Sequence, residues 1–286
     1  MNLNFWLIQS FNGISYCALL FLVGSGLSLI FGVMRIVNLA HGSYFLLGGY
    51  VALTVIWTTG SWLLALPVAA LSVAVVGLLM ERIFLRPLGF DPLRQVLLTV
   101  GFAYLFQQAA LDIWTGNNFD INPPAALTRS VVVGGLYLPL YRVFMIATAL
   151  VIGIVLWLAM EKTRMGAAVR ATVDDAEMAR GVGIDTSRIS MMIFALGAFL
   201  AALGGVIGGA FLGIYPGLDF EILPLAFAVV IIGGMGSLGG AAIGALLVGL
   251  ADNFGKALFP EISYFTLYAP MALILAVRPT GLFGRE

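Results

Sequence analysis

The sequence predicts an all-α polytopic membrane protein of about eight transmembrane helices, two of the apolar segments being broken by glycines. Three observations predict it. Hydrophobic residues make up 61% of the 286 residues and charged residues 10%, whereas soluble domains run nearer 45–50% apolar and about 25% charged. Mean hydropathy is +1.06, more apolar surface than a chain of this length could hide from water. Apolar runs of spanning length also recur along the whole chain, against the ~20 residues that a crossing needs.

The runs fall at 10–33, 39–58, 62–82, 95–115, 137–160, 187–212, 221–255 and 262–277. The amino end, Met1 to Trp6, has no basic region of the kind that opens a cleavable signal peptide, so the first helix is expected to serve for insertion. Two stretches are not plain spans. Leu29 to Gly49 is punctured by Arg35, Asn38, His41 and Gly42. Glu221 to Lys256 is too long for one helix and carries Gly233-Gly234-Met235-Gly236-Ser237-Leu238-Gly239-Gly240 at its middle. The second is read as two short helices around a glycine break, re-entrant or a tight hairpin. Inverted-repeat transporters place interrupted helices in corresponding halves, and these two breaks fit that pattern.

The loops set the orientation. Residues 81–94 hold Arg82, Arg86 and Arg94, and residues 161–188 hold Lys162, Arg164, Arg170, Arg180 and Arg188. Loops 58–62 and 116–136 contain only Arg129. The positive-inside rule makes the basic loops cytoplasmic and the amino terminus external. Arg278 and Arg285 place the carboxyl tail inside, which favours the hairpin. Ser130 to Tyr137, with Gly134-Gly135 at its centre, reads as a short external β-hairpin. Nothing resembles a linker, so residues 1–286 are read as one transmembrane domain, with a cytoplasmic loop 161–188 and an external loop 116–136.

The cytoplasmic loop is longer than a connector requires. Met165–Val173 fits a short helix. Asp174 is positioned to cap a second one, with Glu177 in a capping-box-like place, and Gly181 or Gly183 to end it. Asp185 is expected to cap the next transmembrane helix. A helical knob under the membrane results.

Glu177-Met178-Ala179-Arg180-Gly181-Val182-Gly183 resembles the Glu-Ala-Ala-x-x-x-Gly loop with which ABC-importer permeases engage their ATPase. Met178 replaces the central alanine, and Ala195-Leu196 stands where Leu-Pro often follows. Gly32 to Gly42 with Gly48-Gly49-Tyr50, Ala226 to Gly240, and Arg278-Pro279-Thr280-Gly281-Leu282-Phe283-Gly284 are similar to three further signatures, in order, of the branched-chain amino-acid ABC-importer permease family (LivH-like). The resemblance covers nearly the whole chain. It implies a bacterial inner-membrane permease working with a homologous second permease, cytoplasmic ABC ATPases and an external solute-binding protein. It also implies an ATPase-docking role for Arg170, Asp174, Asp175, Glu177, Ala179, Arg180 and Gly183.

Polar groups within the membrane tend to face protein or a cavity. Asn38, His41 and Gly42, with Gly234, Gly236 and Ser237, are therefore candidates to line the translocation path. They serve equally well as caps and close-packing positions for broken helices. Arg35 is read as snorkelling at the cytoplasmic interface. Gly204-Gly205 through Gly208-Gly209 to Gly213 gives small-x-x-x-small spacing for helix packing. Asp252 and Lys256 are spaced to pair.

No phosphate loop is present, since neither Lys162 nor Lys256 stands in Gly-x-x-x-x-Gly-Lys-Ser/Thr. No nucleophile triad or metal cluster is legible, so neither a catalytic residue nor a cofactor is expected. Zero net charge argues against nucleic acid, while lipid is the expected surrounding partner. The alternative reading is a stand-alone solute channel or facilitator, or the same importer type carrying urea or a short amide.

Overall fold

The computed structural model describes residues 3–89, 91–278 and 280–284. Pro279 and Arg285, which belong to the closing motif and the basic tail, lie outside them, as do Met1 and Asn2. Eleven α-helices and one two-stranded sheet are present among the described residues.

Helix α1 (Leu3–Met34) is the axis. It is followed by α2 (His41–Thr59), α3 (Trp62–Met80), α4 (Pro92–Trp114), strands β1 (Ser130–Val133) and β2 (Leu136–Pro139), and α5 (Leu140–Lys162). Short helices α6 (Arg164–Asp174) and α7 (Ala176–Gly181) then lead to α8 (Thr186–Leu212), α9 (Leu218–Gly233), α10 (Leu238–Leu258) and α11 (Ser263–Val277). Among the described residues, six stretches are long and apolar enough to cross a membrane: α1, α3 with its extension to Leu88, α4, α5, α8 and α10. In α1 and α8 the most apolar stretch is 78% and 72% buried, against 17% in α4 and α5. The former pair is therefore the core, and the latter two stand at the periphery.

The ends follow from capping chemistry. The side chains of Ser61, Asp91, Thr163, Asp185 and Ser237 each accept a hydrogen bond from a backbone N–H in the first turn of α3, α4, α6, α8 and α10, satisfying donors that a helix start leaves unpaired. Gly60 ends α2 in the left-handed conformation. Beyond Met80, α3 continues through a π-helical turn, Glu81–Leu85, and a 3-10 turn, Arg86–Leu88. Gly134 and Gly135 both take positive φ between β1 and β2, as a two-residue hairpin of primed type requires. The loop 116–136 is stitched to the α8–α9 connector by reciprocal backbone bonds of Phe119 and Ile214, 2.8 and 2.7 Å.

Glycine sets how closely the central helices approach. A Cβ on Gly197 of α8 would lie 2.5 Å from Ile30 of α1, and one on Gly24 of α1 would lie 2.6 Å from Val229 of α9. Contacts of Gly197 with Gly26 and of Gly208 with Leu19 make α8 antiparallel to α1. Those of Gly24 with Val229 and of Gly32 with Gly236 make α9 parallel to it. The stretch 221–255 is two helices folded back on each other, with Gly233 against Gly240 and Val229 against Gly244.

One end of the bundle gathers several elements. The α9–α10 turn lies on Gly32 near the end of α1, and the Ser28 hydroxyl donates to the Ser237 carbonyl at 3.3 Å. The closing motif seals the same place: the N–H groups of Leu282 and Phe283 donate to the Ile232 and Gly233 carbonyls, both at 3.0 Å. These acceptors belong to the last turn of α9, where a helix leaves carbonyls unpaired. Arg35, just past α1, reaches the Val173 carbonyl of α6 at 3.4 Å. Carboxyl tail and helical knob therefore share one end.

Candidate functional site

The knob is built from its caps. Thr163 receives the Gly166 N–H and starts α6. Asp175, not Asp174, caps α7: its Oδ1 accepts from the N–H groups of Glu177 and Met178, each at 2.9 Å. Asp174 is the last residue of α6. The expected capping register was one residue early, because α6 carries its helical bonding one residue further and leaves extended backbone first at Asp175 (φ −153°). Glu177 accordingly stands at the second helical position of α7 and is exposed. Gly183 has φ +91°, a conformation that costs a side-chain-bearing residue about 1–2 kcal/mol. Across that turn the Ile184 N–H returns to the Ala179 carbonyl at 3.0 Å.

The knob touches three long helices. Arg170 donates to the Met160 carbonyl at the end of α5, and its guanidinium lies 3.8 Å from Glu161. Arg35 ties it to the end of α1. Asp185 starts α8 two residues after Gly183. Beneath it, Val169 joins an apolar cluster with Leu29, Leu156, Ile189 and Ile193, and Ala179 is buried. Two residues that sequence reasoning passed over face away: Met178 is 66% exposed and Val182 72%. They are four apart, hence on one side of the α7 turn, and Glu177 and Arg180 beside them are exposed. The signal that could have found them was apolar side chains at helical spacing inside an otherwise polar loop.

The second cluster lies inside the bundle. Residues 35–40 are not helical; they fold back along α1, so that α2 begins beside Val23. Asn38 therefore sits in this irregular segment and not on a shared helical face with His41. Its Oδ1 accepts from the Ala40 N–H at 3.1 Å, and the Leu39 N–H donates to Thr99 of α4 at 3.2 Å. His41 Nε2 lies 2.9 Å from the Val23 carbonyl; that acceptor places the proton on Nε2 and leaves Nδ1 its lone pair. Ser43 donates to Asp219 Oδ2 of α9 at 3.0 Å.

Asn38, His41, Ser43, Thr99 and Asp219 are each at most 2% exposed, yet among the described residues Asn38 Nδ2, His41 Nδ1 and Asp219 Oδ1 have no hydrogen-bond partner. Such groups cost about 1–3 kcal/mol apiece. Gly42 allows this meeting, since its Cα faces the Asp219 carbonyl at a distance that excludes any side chain. Ser43, Thr99 and Asp219 were missed from the sequence. Asp219 stands in the first turn of α9, two residues after Gly217 at φ +101°, and is nevertheless buried. Gly234 (φ +104°) and Gly236 (φ +80°) form the α9–α10 turn, while Ser237 caps α10. The six path candidates thus form two groups, three about the α2 start and three at the α9–α10 turn.

A multi-pass bundle with helix breaks at 35–40 and 234–237 and a capped, apolar-ridged knob at one end fits a membrane transport subunit. The comparisons name its kind: the family model for the branched-chain amino acid transport system permease component matches residues 9–275, and the chain belongs to that family. It is 31% identical to LivH, a high-affinity branched-chain amino acid transport permease of Escherichia coli K12, over 98% of this chain and 96% of that one. It is 29% identical to BraD of Pseudomonas aeruginosa over the same shares. The autoinducer 2 import permease LsrC of Salmonella paratyphi B is 27% identical over 66% of this chain and 55% of its own. No solved structure gives a significant match. The chain is a non-catalytic transport component.

Proposed function

We propose that this permease forms half of the translocation pathway of an importer for branched-chain or other small amino acids. A homologous second permease supplies the other half, separate ATPases dock on α6–α7, and an external binding protein delivers the solute to the side of residues 116–136. The observation that carries the reading is the knob: an exposed apolar ridge on a capped helix, bonded to the ends of α1 and α5 and continuous with α8. The whole chain acts as one permease domain. Arg82, Arg86 and Arg94 follow α3, the knob follows α5, and both basic segments are cytoplasmic by the positive-inside rule. Since the tail shares the knob's end, it too is cytoplasmic, and the amino end of α1 is external.

Within this reading Glu177, Arg180 and the Met178–Val182 ridge meet the ATPase. Asp174, Asp175, Ala179 and Gly183 shape the docking helix, and Arg170 holds it to α5. Asn38, His41 and Gly42, with Gly234, Gly236 and Ser237, belong to the two breaks around which the helices rearrange as access alternates. The cargo assignment rests on LivH and BraD; LsrC carries the name of a different solute.

Gentle extraction of the tagged chain, with identification of what co-elutes, tests the assembly. ATPases with phosphate loops and a second hydrophobic permease are expected, and uptake by the reconstituted complex should require ATP and favour leucine-like solutes over urea or amides. A chain recovered alone that conducts solute without ATP would establish the stand-alone channel instead.

A further inference from the structure

Away from both clusters, α1, α5 and α10 enclose a trough of about 460 Å³ open to the side of the bundle. Its lining is apolar throughout. Cys17, Ala18 and Ala149 form a small-residue floor at 6–7% exposure, between walls that include Leu150 (61%), Ile154 (56%) and Trp157 (52%). The Cys17 thiol is engaged with the Leu246 carbonyl at 3.4 Å, so the floor offers no free donor to a polar ligand.

Along α5 the trough runs from Ile146 to Trp157. At 1.5 Å per residue that is about 16 Å, close to the ~15 Å of one leaflet's hydrocarbon in a core about 30 Å thick. It closes at the knob end with an interfacial pair: Lys162 Nζ lies 5.9 Å from the centre of the Trp157 ring, and Trp is the side chain that settles at headgroup level. Arg164 follows, exposed like Lys162. Among the described residues neither cation has a carboxylate within salt-bridge distance, Glu161 facing Arg170 instead.

We infer that this trough is a binding site for one anionic glycerophospholipid of the leaflet on the knob's side. An acyl chain lies between α1, α5 and α10, and the phosphodiester is held by Lys162 and Arg164. Helix–helix contacts in membranes favour small residues on both lips, so that backbones can approach; here the lips are bulky and only the floor is small. That shape suits a narrow flexible chain better than a second helix. Two unpaired cations at headgroup depth select negative charge. The site joins the end of α5 to the start of α6, so its occupant would brace the helix on which the knob is mounted. The inference rests on the membrane-spanning fold and not on the identity of the cargo.

The experiment extracts the intact complex, quantifies retained lipid by mass spectrometry, and repeats this with Lys162→Gln and Arg164→Gln. Wild type should retain phosphatidylglycerol or cardiolipin over phosphatidylethanolamine, with retention falling roughly fivefold for each cation removed. A phosphatidylglycerol carrying a photoreactive acyl chain should label the peptide containing Leu150 to Trp157, and Ala149→Trp should abolish that labelling. Unchanged anionic-lipid retention in the double variant would overturn the proposal. So would a cross-link to the second permease from a photoreactive amino acid placed at Ile154, which would give the trough to a protein partner.

Discussion

The bond between Ser43 and Asp219 is the sole side-chain hydrogen bond between α2 and α9 among the described residues, and it holds a carboxyl group at 2% exposure whose other oxygen has no partner. Removing the hydroxyl removes a donor that no water can replace in a closed interior. Ser43→Ala is therefore expected to destabilise the bundle by about 1–3 kcal/mol, seen as a lower melting temperature in detergent. Adding Asp219→Asn should recover part of the loss, because an amide carries no charge to leave unpaired. Equal melting of Ser43→Ala and wild type would mean that the bond contributes nothing. Asp175 makes the complementary case at the surface. Asp175→Ala should speed hydrogen exchange across 176–182 by loss of a cap worth about 1 kcal/mol, and Asp174→Ala should not. Sequence could place a carboxylate at the start of α7 but could not choose between neighbours, since the choice depends on where α6 stops.

Helices in lipid gain little from hydrophobicity against one another, so the closeness of their backbones has to supply the attraction. Gly205 of α8 faces the Phe45 carbonyl of α2, and a Cβ on Gly32 would stand 2.8 Å from the Gly236 Cα. Backbone cannot yield as a side-chain end can, so Gly205→Ala and Gly32→Ala should each cost about 1–3 kcal/mol through overpacking. Gly101→Ala and Gly239→Ala, which meet nothing within 4 Å, should fold normally. Membrane abundance and thermal melting of the four variants check the contrast, and equal behaviour would deny the close approach. The glycine spacing on α8, the long apolar helices α1, α3, α4, α5 and α8, the Gly134-Gly135 hairpin and the cap at Asp185 were legible because each is a local property. Which face of α2 meets α8, and that residues 35–40 fold back to carry His41 beside Val23, were not. These depend on packing between segments distant in sequence, and a break in hydrophobicity marks the irregular stretch without giving its path.

Taken together, the knob is bonded to α1 through Arg35, to α5 through Arg170 and to α8 through the Gly183 turn. These helices in turn carry the two breaks: α1 lies on the α9–α10 turn at Gly32, and α8 packs against α2 at Gly48 and Gly205. If α7 is displaced as the proposed docking implies, these contacts would carry the displacement to both breaks, as rigid-body alternation requires. The exposed ridge is where such a displacement would be applied. Met178→Asp and Val182→Asp place charge on the surface proposed for docking, at positions 66% and 72% exposed. The expected outcome is a permease of normal abundance and unchanged melting that co-purifies with less ATPase, roughly tenfold less if each charge costs about 1.4 kcal/mol of binding. Gly183→Pro should behave differently. A ring fixed near φ −65° cannot occupy φ +91°, so the turn into α8 is lost; the ridge keeps its apolar side chains, and ATP-dependent uptake should fall to background with a smaller loss of co-purified ATPase than in the ridge variants. The two classes of variant separate attachment from transmission, and loss of uptake with full attachment in the ridge variants would move the docking surface elsewhere on the knob.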